Sequence, residues 1–222
     1  MIRQLCNSRA LATASLALLI SLSALSAQAV TINFDNLTAT APVAGLPVPA
    51  ASQLTNQYAN QGVMFSSLGG FASVVNFGPN TPSSPNAIAA STSDGLLSYA
   101  VPIEITFVSP SDSQVPAVTD FVSIRGDLFI MGVGTNTMIA LDINGDPIDF
   151  DIQIEPPASI LSVTGFGIHK VILIGSTTTA FDDLSFNPVV VVPEPSSVAL
   201  GAMAMAAIGL VVIRSRKTRA KS

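Results

Sequence analysis

Positive charge and the longest apolar runs of this chain are confined to its two ends, and this limits what the remainder can be. Arg3 and Arg9 precede an apolar stretch from Leu11 to Leu25, while Arg214, Arg216, Lys217, Arg219 and Lys221 follow an uncharged apolar run from Val198 to Ile213. Between Val30 and Val192 only Arg125 and Lys170 are basic, against thirteen of the fourteen acidic residues, a formal charge of −11. A body so acidic lacks the basic footprint that binding a polyphosphate backbone requires, so nucleic acid is excluded as a partner.

The first 29 residues have the three parts of a secretory signal: a cationic start, an apolar centre, and the small-x-small site Ala27-Gln28-Ala29. Cleavage is expected after Ala29, following passage through the Sec export machinery. An uncleaved membrane anchor is the alternative. The one cysteine, Cys6, precedes the apolar stretch instead of ending it, so this is not a lipoprotein signal. Its removal leaves a mature chain without thiols, disulfides or cysteine metal sites.

At the other end, Val198 to Ile213 would span about 24 Å as a helix. With Ser196, Ser197 and snorkelling basic side chains it approaches the bilayer core. The basic tail 214–222 is expected to stay cytoplasmic, which places everything before Pro193 outside. Residues 30–188 are thus read as one domain, 189–197 as a linker, and 198–213 as a transmembrane helix.

Val192-Pro193-Glu194-Pro195-Ser196, a short Gly/Ala-rich apolar helix and a terminal Arg/Lys tail together resemble the PEP-CTERM sorting signal of Gram-negative bacteria. The resemblance implies recognition of Pro193, Glu194 and Pro195 by an exosortase, a transpeptidase-like membrane protease. It further implies removal of the helix and delivery to the cell surface or exopolysaccharide matrix. Two prolines hold the peptide extended and stop a helix propagating back through them, which suits a protease at the membrane surface. An ordinary tail anchor with a Pro-rich hinge is the competing reading.

Between the ends, short β-rich runs recur among Gly, Pro, Asn and Ser clusters, and the only helical candidate, Ala51 to Asn60, is short and polar. The pattern predicts an all-β domain, a jelly-roll-like antiparallel β-sandwich. Strands are expected at 31–34, 63–66, 71–77, 96–101, 103–108, 118–125, 128–133, 137–143, 148–155, 167–174 and 181–186. Asn144-Gly145 as a two-residue type I′ turn pairs Leu141 with Ile148 and Ile139 with Phe150, and turns an apolar face inward on both strands. Pro147 then marks an edge or a bulge. INFDNL, LTNQYANQGVMFSS, SSPNAIA, ITFVSP, LDINGDPID and TAFDDLSF are similar to exported bacterial domains related to jelly-roll modules, many of which bind carbohydrate.

No catalytic constellation is apparent, and the chain is read as a non-enzymatic surface or matrix protein without a required cofactor. Asp142-Ile143-Asn144-Gly145-Asp146 has Gly at the wrong position for an EF-hand and is read as a hairpin. Asp35, Asp182 and Asp183 form a candidate calcium site, or else accept backbone amides. His169, the only histidine, suits packing, because no second histidine or mature-chain cysteine could complete a zinc or Cys-His site. Carboxylate pairs leave glycoside hydrolysis open. With no Trp and only Tyr58 and Tyr99 to stack on sugar rings, both carbohydrate readings are weakened. Phe65, Phe71, Phe77, Phe107, Phe121, Phe129, Phe150 and Phe166 are expected in the core, and the loop 78–86 is a candidate binding rim. N-terminal sequencing of the exported protein should begin at Val30, and replacing Ala27 and Ala29 with leucine should abolish that terminus.

Overall fold

The computed structural model describes residues 28–42, 46–128, 134–154, 159–175 and 179–193. Both terminal apolar segments lie outside these, as do Ala27, Glu194, Pro195 and residues 129–133 of the strand expected over 128–133. Among the described residues no helix is long and apolar enough to cross a membrane.

The strands in chain order are β1 (Val30–Ile32), β2 (Gln53–Leu54), β3 (Val63–Ser67), β4 (Gly70–Asn76), β5 (Asn86–Thr92), β6 (Ile103–Ser109) and β7 (Asp112–Leu128). They continue as β8 (Thr135–Leu141), β9 (Pro147–Ile154), β10 (Ser159–Ile168), β11 (Lys170–Ile174), β12 (Thr179–Phe186) and β13 (Val190–Val191). All pairings are antiparallel, and they form a jelly-roll-like sandwich. One layer runs β2-β4-β5-β12-β7 with β10 beyond and β1 alongside the end of β12; the other runs β3-β6-β11-β8-β9. The long strand β7 joins them, because its start pairs with β6 and its end with β10 and β12.

Alternation explains the clearest strands. In β6, Ile103, Ile105 and Phe107 are buried while Glu104 and Thr106 between them are not. Phe34, Tyr58 and Phe65 stack edge-to-face, with ring centroids 5.7 to 6.1 Å apart, and Phe107 meets Phe186 at 5.3 Å.

Several expectations require correction. Residues 96–101 form turns and isolated bridges, and the strand lies instead at Asn86–Thr92, an Ala-rich run buried along almost its whole length. Its small side chains let the layers approach closely, but alanine is a poor strand signal. The segment 51–60 forms two short 3₁₀ turns around β2, with no α-helix. The strand Ser159–Ile168 was not anticipated.

In the β8–β9 hairpin, Ile139 pairs with Phe150 as expected, but the turn is longer than two residues and the facing is reversed. Asp142 N–H donates to the Asp146 carbonyl at 2.9 Å, Gly145 N–H donates to the Asp142 carbonyl at 3.2 Å, and Gly145 alone adopts a left-handed φ of 88°. This is a three-residue loop ending in a glycine bulge, so Leu141 pairs with Pro147 and the register slips at Ile148. The Asp142 carboxylate favours this loop by accepting the N–H groups of Asn144 and Asp146, each at 2.8 Å.

Met138 and Ala140 face the core, whereas Phe150, Ile152 and Ile154 are exposed. The inward residues of β9 are Asp149 and Asp151, and they reach across the open side of the sandwich. Asp149 accepts the Thr164 N–H and Asp151 the Ser162 N–H, both at 2.8 Å. Among the described residues no strand lies beyond these amides of β10, and inward carboxylates both satisfy them and keep the edge from pairing with another chain. Phe71 and Phe166 are likewise outside the core, contrary to expectation. Phe107→Ala should destabilise the fold by about 3–5 kcal/mol. Phe150→Ala should cost no more than about 1 kcal/mol in the same denaturant titration; the opposite ranking would show that β9 turns its apolar face inward.

Candidate functional site

Two places concentrate the residues singled out from the sequence. In the first, the INFDNL, SSPNAIA and TAFDDLSF stretches converge where β1 ends, β5 begins and β12 passes between them. Asp182 is buried; its carboxylate accepts the Ser83 N–H at 2.9 Å, the Ser83 hydroxyl at 3.0 Å and the Asp183 N–H at 2.8 Å. Asp35 accepts the Asn86 N–H at 3.0 Å, and the Asn86 amide donates to the carbonyls of Phe34 and Leu37 at 3.0 and 2.8 Å. Asp183 faces Arg125 at 3.8 Å.

Phe34 and Asp183 hold left-handed φ values of 61° and 51°, where non-glycine residues are uncommon. The network holds both turns. Thus the loop 78–86, expected as a binding rim, is tied down onto β12. The three aspartates accept amides or pair with Arg125, and among the described residues no group of three His, Cys, Asp or Glu side chains is arranged to hold a metal ion. Two buried atoms in this region, Asn86 Oδ1 and Arg125 Nε, have no hydrogen-bond partner among the described residues. Tyr58 donates to Asn36 Oδ1 at 2.6 Å, and burial, with the nearby Asp35 charge, pushes its hydroxyl up to about 12.

The second place is the end of the sandwich where the chain enters and leaves. Ala29 is exposed, and Val30 immediately pairs with Phe186. Beyond Phe186 the chain keeps to the same neighbour. Phe186 pairs with Val122, Val190 with Val118 and Val191 with Ala117, in one continuous register along β7. Val192 N–H then donates to the Pro116 carbonyl at 3.0 Å, and Pro193, the first sorting-motif residue, is exposed. Pairing therefore reaches into the segment read as linker.

His169 underpins this exit: its Nδ1–H donates to the Ala117 carbonyl at 2.8 Å, and its backbone bonds Phe107 and Leu141. Beside β13 an open pocket of about 310 Å³ is lined by Val118, Asp120, Phe166, Asn187, Pro188 and Val190.

Residues 191–217 match the PEP-CTERM protein-sorting motif. This marks an exported protein that is held at the membrane before processing. Among curated proteins no relative matches the chain. Among solved structures, the C-terminal family 22 carbohydrate binding module of Clostridium thermocellum Xyn10B is similar at 14% identity and a TM-score of 0.38, over 56% of this chain and 85% of that one. A xylan-binding domain of the same module family is similar at 13% identity and 0.38, over 63% and 97%. The enzymatically active domain of bacteriophage CBA120 tailspike protein 4 is similar at 10% identity and 0.31, over 65% and 22%.

Burial pushes the Asp182 carboxyl up to about 6, outweighing the donors from Ser83 and Asp183 that favour its charged form. An unfolded aspartate titrates near 3.9, so the folded chain holds an extra proton between about pH 4 and 6. Stability from this group is complete below about pH 4 and is lost as pH rises through 6, a decline on the order of 2–3 kcal/mol. Urea titrations should show that decline in the wild type. Asp182→Asn should be less stable overall, since its amide would face a backbone donor, but should lack the slope in this window.

Proposed function

We propose that the mature chain is a non-catalytic protein of the cell surface or extracellular matrix, handed by the Sec machinery to an exosortase and released from its C-terminal helix. The observation that carries this reading is the fit between the fold and the two processing signals. The first strand begins at the residue after Ala29, and the last pairing ends at Val192, one residue before Pro193. Cleavage at both sites would leave a closed domain with almost no unpaired chain at either end. Its negative surface suits a hydrated, cation-rich polysaccharide layer.

A second reading, binding of exopolysaccharide, is favoured by one specific feature. Phe150 is exposed on the open outer face of β8 and β9, in a shallow groove with Thr137, Ile139 and Ile152. An exposed ring can stack on a sugar face. Saturable binding of Val30 to Val192 to a defined glycan, lost in Phe150→Ala, would support it.

The sorting reading is tested by intact mass of surface material from the native host. The mature protein should lack residues 214–222; their retention would mean a permanent tail anchor.

A further inference from the structure

Phe166 is 95% exposed, at the exit end of the sandwich. It sits where β10 slips register against β7 between Thr164 and Ile168. Gly167 there adopts a left-handed φ of 87°, and a side chain at Gly165 would collide with Ile148 Cγ2 at 2.3 Å. The two glycines thus build a bulge that lifts one aromatic ring away from the domain. Val190 and Val191, also exposed, lie on the adjoining exit strand, and Val190 and Phe166 line the same pocket.

The length of the remaining chain decides what this end meets. Five residues, Pro193 to Ser197, separate the last pairing from the apolar segment that begins at Val198. Fully extended they reach at most about 20 Å. While that segment is inserted, Val192 stays within about 20 Å of the bilayer, which brings the exit end within reach of the lipid surface. A contact too weak to hold a free protein suffices for a tethered one, because the tether supplies a high effective concentration.

We infer that Phe166, with Val190 and Val191, dips into the lipid interface and orients the unprocessed domain so that Pro193 and the following residues are presented at the membrane surface. Apolar and aromatic side chains at this depth are a common means of interfacial attachment. Asp120 stands beside the ring and accepts the Asn187 amide at 2.8 Å. Its charge makes a zwitterionic surface the better partner than an anionic one. This proposal rests on the membrane-held stage described above.

The chain contains no tryptophan, so Phe166→Trp introduces a single indole reporter. The full chain carrying this substitution would be reconstituted in phosphatidylcholine vesicles, and co-flotation established first. Its emission should shift to the blue relative to the detergent-free domain Val30 to Val192, and most of it should be lost when the lipid is brominated near the headgroup. Leu68→Trp, at the opposite end of β3 from the exit, should show neither change. Failure to co-float would overturn the membrane-held reading and this proposal with it. Co-flotation without bromine quenching would overturn this proposal alone, and a blue shift without quenching would indicate a second copy of the chain as the occupant.

Discussion

The architecture depends on the backbone hydrogen bonding of β7. Every buried N–H and C=O must find a partner, and this strand serves β6 at its start and β10 and β12 at its end. Because β13 continues the register of β12 along the same strand, β7 also determines where the chain leaves. The entry follows from the same ladder, since β1 lies against the last residues of β12. The described chain therefore enters, at Val30, and leaves, at Val192, at one end of the molecule. That arrangement suits a domain that is exported from one membrane and briefly held by it.

The open sides are where a sandwich of this kind is vulnerable to pairing with other chains. Asp149 and Asp151 address this by turning inward to accept β10 amides. The cost is an outward apolar row at Phe150, Ile152 and Ile154. Alternation in β9 was plain in the sequence, as was the pairing of Ile139 with Phe150. Which face pointed inward was not, because the usual rule assigns the apolar face to the core, and here an edge strand uses its carboxylates as backbone acceptors. Pro147 did signal the bulge.

Strands such as β6 and β12 were legible because large apolar residues alternate or cluster between turn residues. β5 was not, since Asn86 to Thr92 is mostly small, and its burial arises from close layer packing. β10 was obscured by Gly165-Phe166-Gly167, which looks like a break yet is a bulge within one strand. Asp35, Asp182 and Asp183, candidates for calcium in the sequence, lie around the 78–86 loop and Arg125. Their chemistry needed coordinates: they clamp the 78–86 loop through Ser83 and Asn86. Phe166 was placed in the core because a strand phenylalanine usually is; only its flanking glycines hinted otherwise.

The central claim is that the chain enters, at Val30, and leaves, at Val192, at one end of the sandwich. Spin labels on exposed Thr31 and Val190 of the domain Val30 to Val192 measure this directly. The ladder along β7 places these residues about five strand positions and one strand spacing apart, so the distance between their backbones should be under about 20 Å. A separation longer than about 30 Å would put the termini at opposite ends and contradict the account.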